Sequence, residues 1–146
     1  MQKDKTIQKF ETFMPNPESN NCVFDLALEN DNHIFFHLTP KVNLESIIVK
    51  GFLSATELNL DKIDKLESVS YASNSASCFA NKLLEDDKDY VVLIVKFNSS
   101  DIAKNTRHGS DIVIYDNNKI QPTILGYGEI PKKVVTYFCK MDVDIS

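Results

Sequence analysis

Among the side chains able to do chemistry in this chain, His37 stands out, within the stretch HIFFHLTPKVNLESIIVKGFL at 33–53. Strand alternation puts Phe35, His37 and Thr39 on one face and Ile34, Phe36 and Leu38 on the other. A neutral imidazole there donates one hydrogen bond and accepts another, enough to orient a small polar ligand. The plainer alternative is a half-buried histidine bonded to a nearby carbonyl. His33 opens the same strand beside NDN and reads as solvated. His108 adjoins Arg107 in the polar loop NTRHGSD, where the two would either meet an anion or face water. Tyr71 and Tyr127 fall in strand-like segments; a tyrosine there stacks on a planar heterocycle or simply fills core. Glu129, in YGEIP, offers a carboxylate at a strand edge, and suits a turn equally well.

Several chemistries find no support. Cys22, Cys78 and Cys139 are single and far apart, so there is no zinc knuckle and no CxxC redox pair. Their odd number argues against a secreted disulfide scaffold, and Cys78, among small and apolar residues, reads as a buried thiol. The phosphate-cradling and hydrolase signatures GxGxxG, GxxxxGK[ST], GxSxG and HExxH are missing, and no metal site is expected. The net charge is −5 and Arg107 is the only arginine. That gives no basic stripe for nucleic acid and too few guanidinium forks for a site built from phosphate clamps.

The elements that must position these residues belong to one domain of 146 residues, with 42% hydrophobic and 25% charged side chains. No apolar run nears the roughly 20 residues of a membrane span. The polar start MQKDKTIQKFETFMPNPESNN lacks the apolar core of a signal peptide, so a cytoplasmic protein, or an effector exported without such a signal, is expected. Residues 1–32 read as an N-terminal extension holding a short helix in CVFDLALEN, and residues 33–138 as the core.

HIFFHL predicts a strand, and TPKVNLESIIVKG a helix capped by Thr39 with Pro40 at its first position. Leu44, Ile47 and Ile48 form that helix's apolar face, and Gly51 closes it in the left-handed conformation. SATELNLDKIDKLES reads as a loop with a turn or two of helix. VSYAS reads as a strand, and NSASCFANKLLEDD as an amphipathic helix capped by Ser73 or Asn74. YVVLIVKF is a strand buried on both faces. A polar loop and three more strands, DIVIY, KIQPTILGYG and VVTYFCK, complete an α+β domain.

Taken in order, these pieces resemble the ADP-ribosyltransferase superfamily. FFHLTPKVNLESIIVKGFL is similar to its opening, a strand ending in a His-x-Thr-like motif and a helix of the nLxxIlxxGl kind. SVSYASNSASCFANKLL resembles its second element, YVVLIVKF the apolar strand that follows, and ILGYGEIPKKVVTYF the closing strand with its xIPpxxI turn. The resemblance implies a split antiparallel sheet with flanking helices and a central cleft, and NAD as co-substrate. It implies that His37 hydrogen-bonds the nicotinamide-side ribose and that Thr39 supports it. Tyr71 would pack on the nicotinamide, with Ser70 in that place if the register slips by one. Glu129 would stabilise the oxocarbenium-like ribose as nicotinamide leaves. One departure stands out: many relatives carry an acid at the start of the strand before the IP turn, where this chain has Gln121 or Thr123. RNA 2′-phosphotransferases share that fold but use several arginines, which this chain lacks.

The resulting expectation is a mono-ADP-ribosyltransferase modifying a protein or nucleic acid, compact enough for a bacterial or phage toxin or effector with a protein partner or antitoxin. The alternative is a catalytically inactive binding or inhibitor module of the same fold, acting through protein–protein contacts.

Overall fold

The structure, a computed structural model, describes residues 7–19, 21–52, 68–80, 84–85, 87–107, 111–115 and 119–145. The expected helical turns in SATELNLDKIDKLES, apart from its last residue Ser68, and the side chains of Arg107 and His108 lie outside the described residues. The chain is α+β. In order come β1 (Gln8–Lys9), α1 (Leu26–Glu29), β2 (Ile34–Pro40), α2 (Leu44–Lys50), β3 (Val69–Tyr71) and α3 (Ser75–Ala80). Then follow β4 (Tyr90–Lys96), α4 (Ser99–Asn105), β5 (Thr106–Arg107), β6 (Asp111–Ile114), β7 (Thr123–Ile130) and α5 (Lys132–Ile145).

Among the described residues the strands form two sheets, one of four in the order β1-β7-β4-β2 and one of three in the order β3-β6-β5. All pairs are antiparallel except β1 with β7. Among the described residues the sheets are bridged where Phe36 and Ala72 exchange reciprocal backbone hydrogen bonds of 2.8 Å each. The edge of β2 therefore faces β3, and residues next to Phe36 on one strand and Ala72 on the other come together at the seam.

The run YVVLIVK is apolar throughout because β4 lies between β2 and β7 and is covered on both faces. Val92 and Ile94 face one core, with Phe36, Phe79, Val134, Val135 and Phe138. Leu93 and Val95 face the other, with Phe35, Phe52, Tyr71, Ile112 and Ile114.

Four expectations change. First, VVTYFCK is not a strand but the body of α5. Val134, Val135 and Phe138 recur at helical spacing and bury one stripe, with Phe138 stacked on Phe79 at 4.1 Å between ring centroids. Packing of that stripe overrides the β-branched preference, and the Pro131 carbonyl accepts the amides of Val134 and Val135 to start the helix.

Second, Thr39 and Pro40 do not begin a helix. Both belong to β2, opposite Val91 and Tyr90, and a 3-10 turn over Lys41–Asn43 separates them from α2. The Thr39 hydroxyl accepts from Asn43 Nδ2 at 3.1 Å instead of capping free amides. Gly51 does close α2 with φ +85°, its N–H on the Ile47 carbonyl.

Third, the stretch read as a polar loop around NTRHGSD contains α4 and β5; α4 is begun by Asn98, whose side chain accepts the Asp101 amide at 2.8 Å. Asn74 does the same for α3, taking the Ser77 amide at 2.8 Å.

Fourth, the N-terminal stretch is part of the fold. β1 extends the larger sheet, and Val23 and Phe24 are core residues.

Candidate functional site

His37 occupies the seam. Its Nδ1 lies 2.9 Å from the Ser70 carbonyl oxygen. A carbonyl only accepts, so Nδ1 carries the proton and, in the neutral ring, Nε2 is the acceptor. The ring is half-buried and sits against Phe52, with centroids 5.1 Å apart and near-perpendicular planes, and against Tyr71 at 5.6 Å. Phe52 and Tyr71 also meet edge-on at 5.1 Å, and Tyr71 meets Phe97 at 5.0 Å. The imidazole thus rests on an aromatic wall that fixes its plane.

The structure brings His37, Ser70 and Tyr71 together but gives the two β3 residues different surroundings. Tyr71 is fully buried, its ring engaged by His37, Phe52 and Phe97, so it backs the histidine and presents no open face. Ser70 is exposed on the other side of the strand. Thr39 is buried one pleat further along β2, on the His37 face. Gln121 precedes β7 and turns its amide to the backbone of Phe52, while Thr123 opens β7 opposite Lys96.

Glu129 shares the sheet face of His37. The registers run His37–Leu93–Tyr127 and Thr39–Val91–Glu129 across β2, β4 and β7. Two strand spacings and one pleat repeat separate His37 from Glu129, about 12 Å between Cα atoms. Glu129 lies between Lys41 Nζ at 2.7 Å and Lys9 Nζ at 2.8 Å. Hydrogen bonds from Lys41 and then Lys9 hold its carboxyl at about 2, and the same contacts push both lysines up. It borders a cleft of about 490 Å³ in which Lys9, Lys41 and Lys132 face Glu11, Asp89 and Glu129, so that positive and negative charges balance.

A second carboxylate near the seam is Asp111, which stands where the loop NTRHGSD meets the strand DIVIY, a place that does not by itself mark a site residue. It is the first residue of β6, two strands from His37 on the other side, and its Oδ1 accepts the Ser73 amide at 3.1 Å. The available signal was its place at the start of a strand.

Two further clusters have other work. Glu29 is buried and accepts the amides of Phe24 at 3.2 Å and Ser75 at 2.9 Å, and also the Ser75 hydroxyl. Ser75 Oγ in turn accepts the Val23 amide at 2.8 Å, so this unit ties the N-terminal segment to α3. Burial pushes the nearby Cys22 thiol up, against any nucleophilic role. His33 is not merely solvated: its Nε2 meets Ser99 Oγ at 2.9 Å. Its Nδ1 is 3.9 Å from Asp31, whose Oδ1 already accepts the His33 amide at 2.8 Å, so this is a surface turn and not a nucleophile relay.

The chain matches no protein-family model, no curated protein and no solved structure. Its function has to be argued from its own geometry.

Proposed function

We propose that the chain is a mono-ADP-ribosyltransferase that takes ADP-ribose from NAD to a protein or nucleic-acid acceptor, on a split sheet of the ADP-ribosyltransferase type. The observation that carries this reading is the placement of His37. At the seam of the two sheets, with Nδ1 bonded to the Ser70 carbonyl and its ring half-buried against Phe52 and Tyr71, the imidazole is held in one orientation, as positioning a ribose would require.

The reaction breaks the bond between ribose C1′ and the nicotinamide nitrogen; nicotinamide leaves as a neutral molecule with the bonding electron pair, and the positive charge passes to the ribose. A bond from C1′ to the acceptor's nucleophile replaces it, and the acceptor's proton passes to solvent or a carboxylate. Such a step needs orientation and a negative charge beside the developing oxocarbenium more than it needs a strong base. His37 supplies orientation, with Thr39 and Ser70 flanking it and Tyr71 behind. Glu129 is the proposed acid. It is ionised at neutral pH, as the role requires, though Lys9 and Lys41 offset its charge until they shift.

That offset also supports a second reading, a catalytically inactive module of the same fold whose surface contacts carry its effect. Release of free nicotinamide from NAD decides between the two. The enzyme reading expects release by the wild-type chain, lost in His37→Ala and reduced at least about 100-fold in Glu129→Gln, the range typical for removal of one charge-stabilising group. Loss in Asp111→Asn with retention in Glu129→Gln would move the acid to β6. Saturable NAD binding with no release in the presence of acceptor extracts would favour the inactive module.

A further inference from the structure

We infer that Gln121 is a positioning residue for His37, acting through Phe52. The inference rests on the proposed role of His37 for its functional meaning, but its geometry stands alone. The Gln121 side chain is bonded at both ends to one residue: Oε1 accepts the Phe52 amide at 2.9 Å and Nε2 donates to the Phe52 carbonyl at 2.8 Å. An amide is the one neutral side-chain group that donates and accepts in this spacing, so it pairs with Phe52 as a neighbouring strand would. Residues 51–52 follow α2 outside the described strands, and Gln121 pairs with Phe52 from 69 residues away.

The fit is close. A Cβ on Gly51 would lie 2.9 Å from Gln121 Oε1, and Gly51 is itself in the left-handed region at φ +85°. Gly51 therefore lets the amide approach the backbone, and its conformation turns the chain so that Phe52 enters the second core. Phe52 is 1% exposed and its ring stands edge-on to both His37 and Tyr71 at 5.1 Å. Moving the Phe52 backbone moves the surface against which the imidazole plane is set. Gln121, two residues before β7, is thus linked to the seam by two hydrogen bonds and one ring contact. Here the amide works through backbone contacts, a use that no charged side chain could duplicate.

The test uses the full chain and reads His37 directly by NMR of its ring resonances, assigned with His37→Asn. Gln121→Met keeps volume and removes both hydrogen bonds. The expected result is loss of the Phe52 ring-current shift on His37, with the His33 resonances at the other end of β2 in place. Phe52→Leu should remove the same shift, and the double variant should look like Phe52→Leu alone, because both act through one ring. Unchanged His37 resonances in a folded Gln121→Met, or additive effects in the double variant, would overturn the inference. Should Gln121→Met not fold, Phe52→Leu alone still decides whether the ring fixes His37. If the wild type releases no nicotinamide, the enzyme reading fails while these spectra still judge Gln121. If it does release nicotinamide, Gln121→Met should lower kcat about 10-fold or more with little change in KM, as expected for misorientation at the reacting centre.

Discussion

Glu129 is held ionised by two ammonium groups, and that arrangement makes a sharp prediction about acid. Its carboxyl titrates near 2 in the folded chain, against roughly 4.3 for an ordinary glutamate. The fold therefore keeps the whole of this ion-pair contribution above about pH 4 and loses it as pH falls towards 2. All three side chains are over a third exposed, so solvent screens most of the contribution and added salt weakens it further. Carbon-detected NMR of Glu129 should read about 2 in the wild type and return towards the ordinary range in Lys41→Met. A wild-type value near 4 would mean that the lysines do not engage it. Through pH 5–8 Glu129 does not change charge, so any pH profile of activity in that window belongs to another group.

At the scale of elements, the Glu29–Ser75 unit joins α1, α3 and the segment at Val23–Phe24. Glu29→Ala would leave three buried donors without their acceptor, and should cost about 3 kcal/mol or more in urea unfolding. A loss under 1 kcal/mol would show that water replaces the carboxylate. Gly51→Ala should destabilise by about 1–2 kcal/mol, since alanine at φ +85° is strained and its Cβ would press on the Gln121 amide. How legible these elements were in the sequence depended on whether local pattern and tertiary packing agreed. β4, the body of β2, the start of α3 and the closure of α2 at Gly51 agreed, whereas Leu84 and Glu85, expected in α3, are not helical. VVTYFCK did not agree: its β-branched residues favour a strand locally, while its apolar stripe is helical and wins by packing on Phe79. Thr39 and Pro40 suit a helix start, but pairing with Val91 and Tyr90 carries the strand past them. The Gln121–Phe52 bonds and the Lys9–Glu129–Lys41 group join residues far apart in the chain, and no local signal announces such pairings.

For the whole molecule, the N-terminal segment decides whether residues 33–138 stand alone. Phe10 donates its amide to the Tyr127 carbonyl at 2.8 Å, and β1 lies so close to β7 that a Cβ on Gly126 would fall 2.2 Å from the Gln8 carbonyl. Deleting residues 1–31 would expose one edge of the larger sheet and uncover the core beneath Val23 and Phe24. The shortened chain should lack a cooperative thermal transition in calorimetry; a sharp transition at the wild-type temperature would assign those residues a peripheral part. Gly126→Ala should weaken the same junction without touching the seam, so it should lower Tm and leave the His37 resonances in place. The seam itself carries the central claim, that the chain binds NAD through His37. Calorimetric titration of the purified full chain with NAD, beside His37→Ala, tests it most directly. The account predicts saturable one-site binding that the substitution weakens at least about 10-fold, the loss of one good hydrogen bond to a desolvated ligand. No heat of binding in the wild type, or equal affinity in the two proteins, would contradict it.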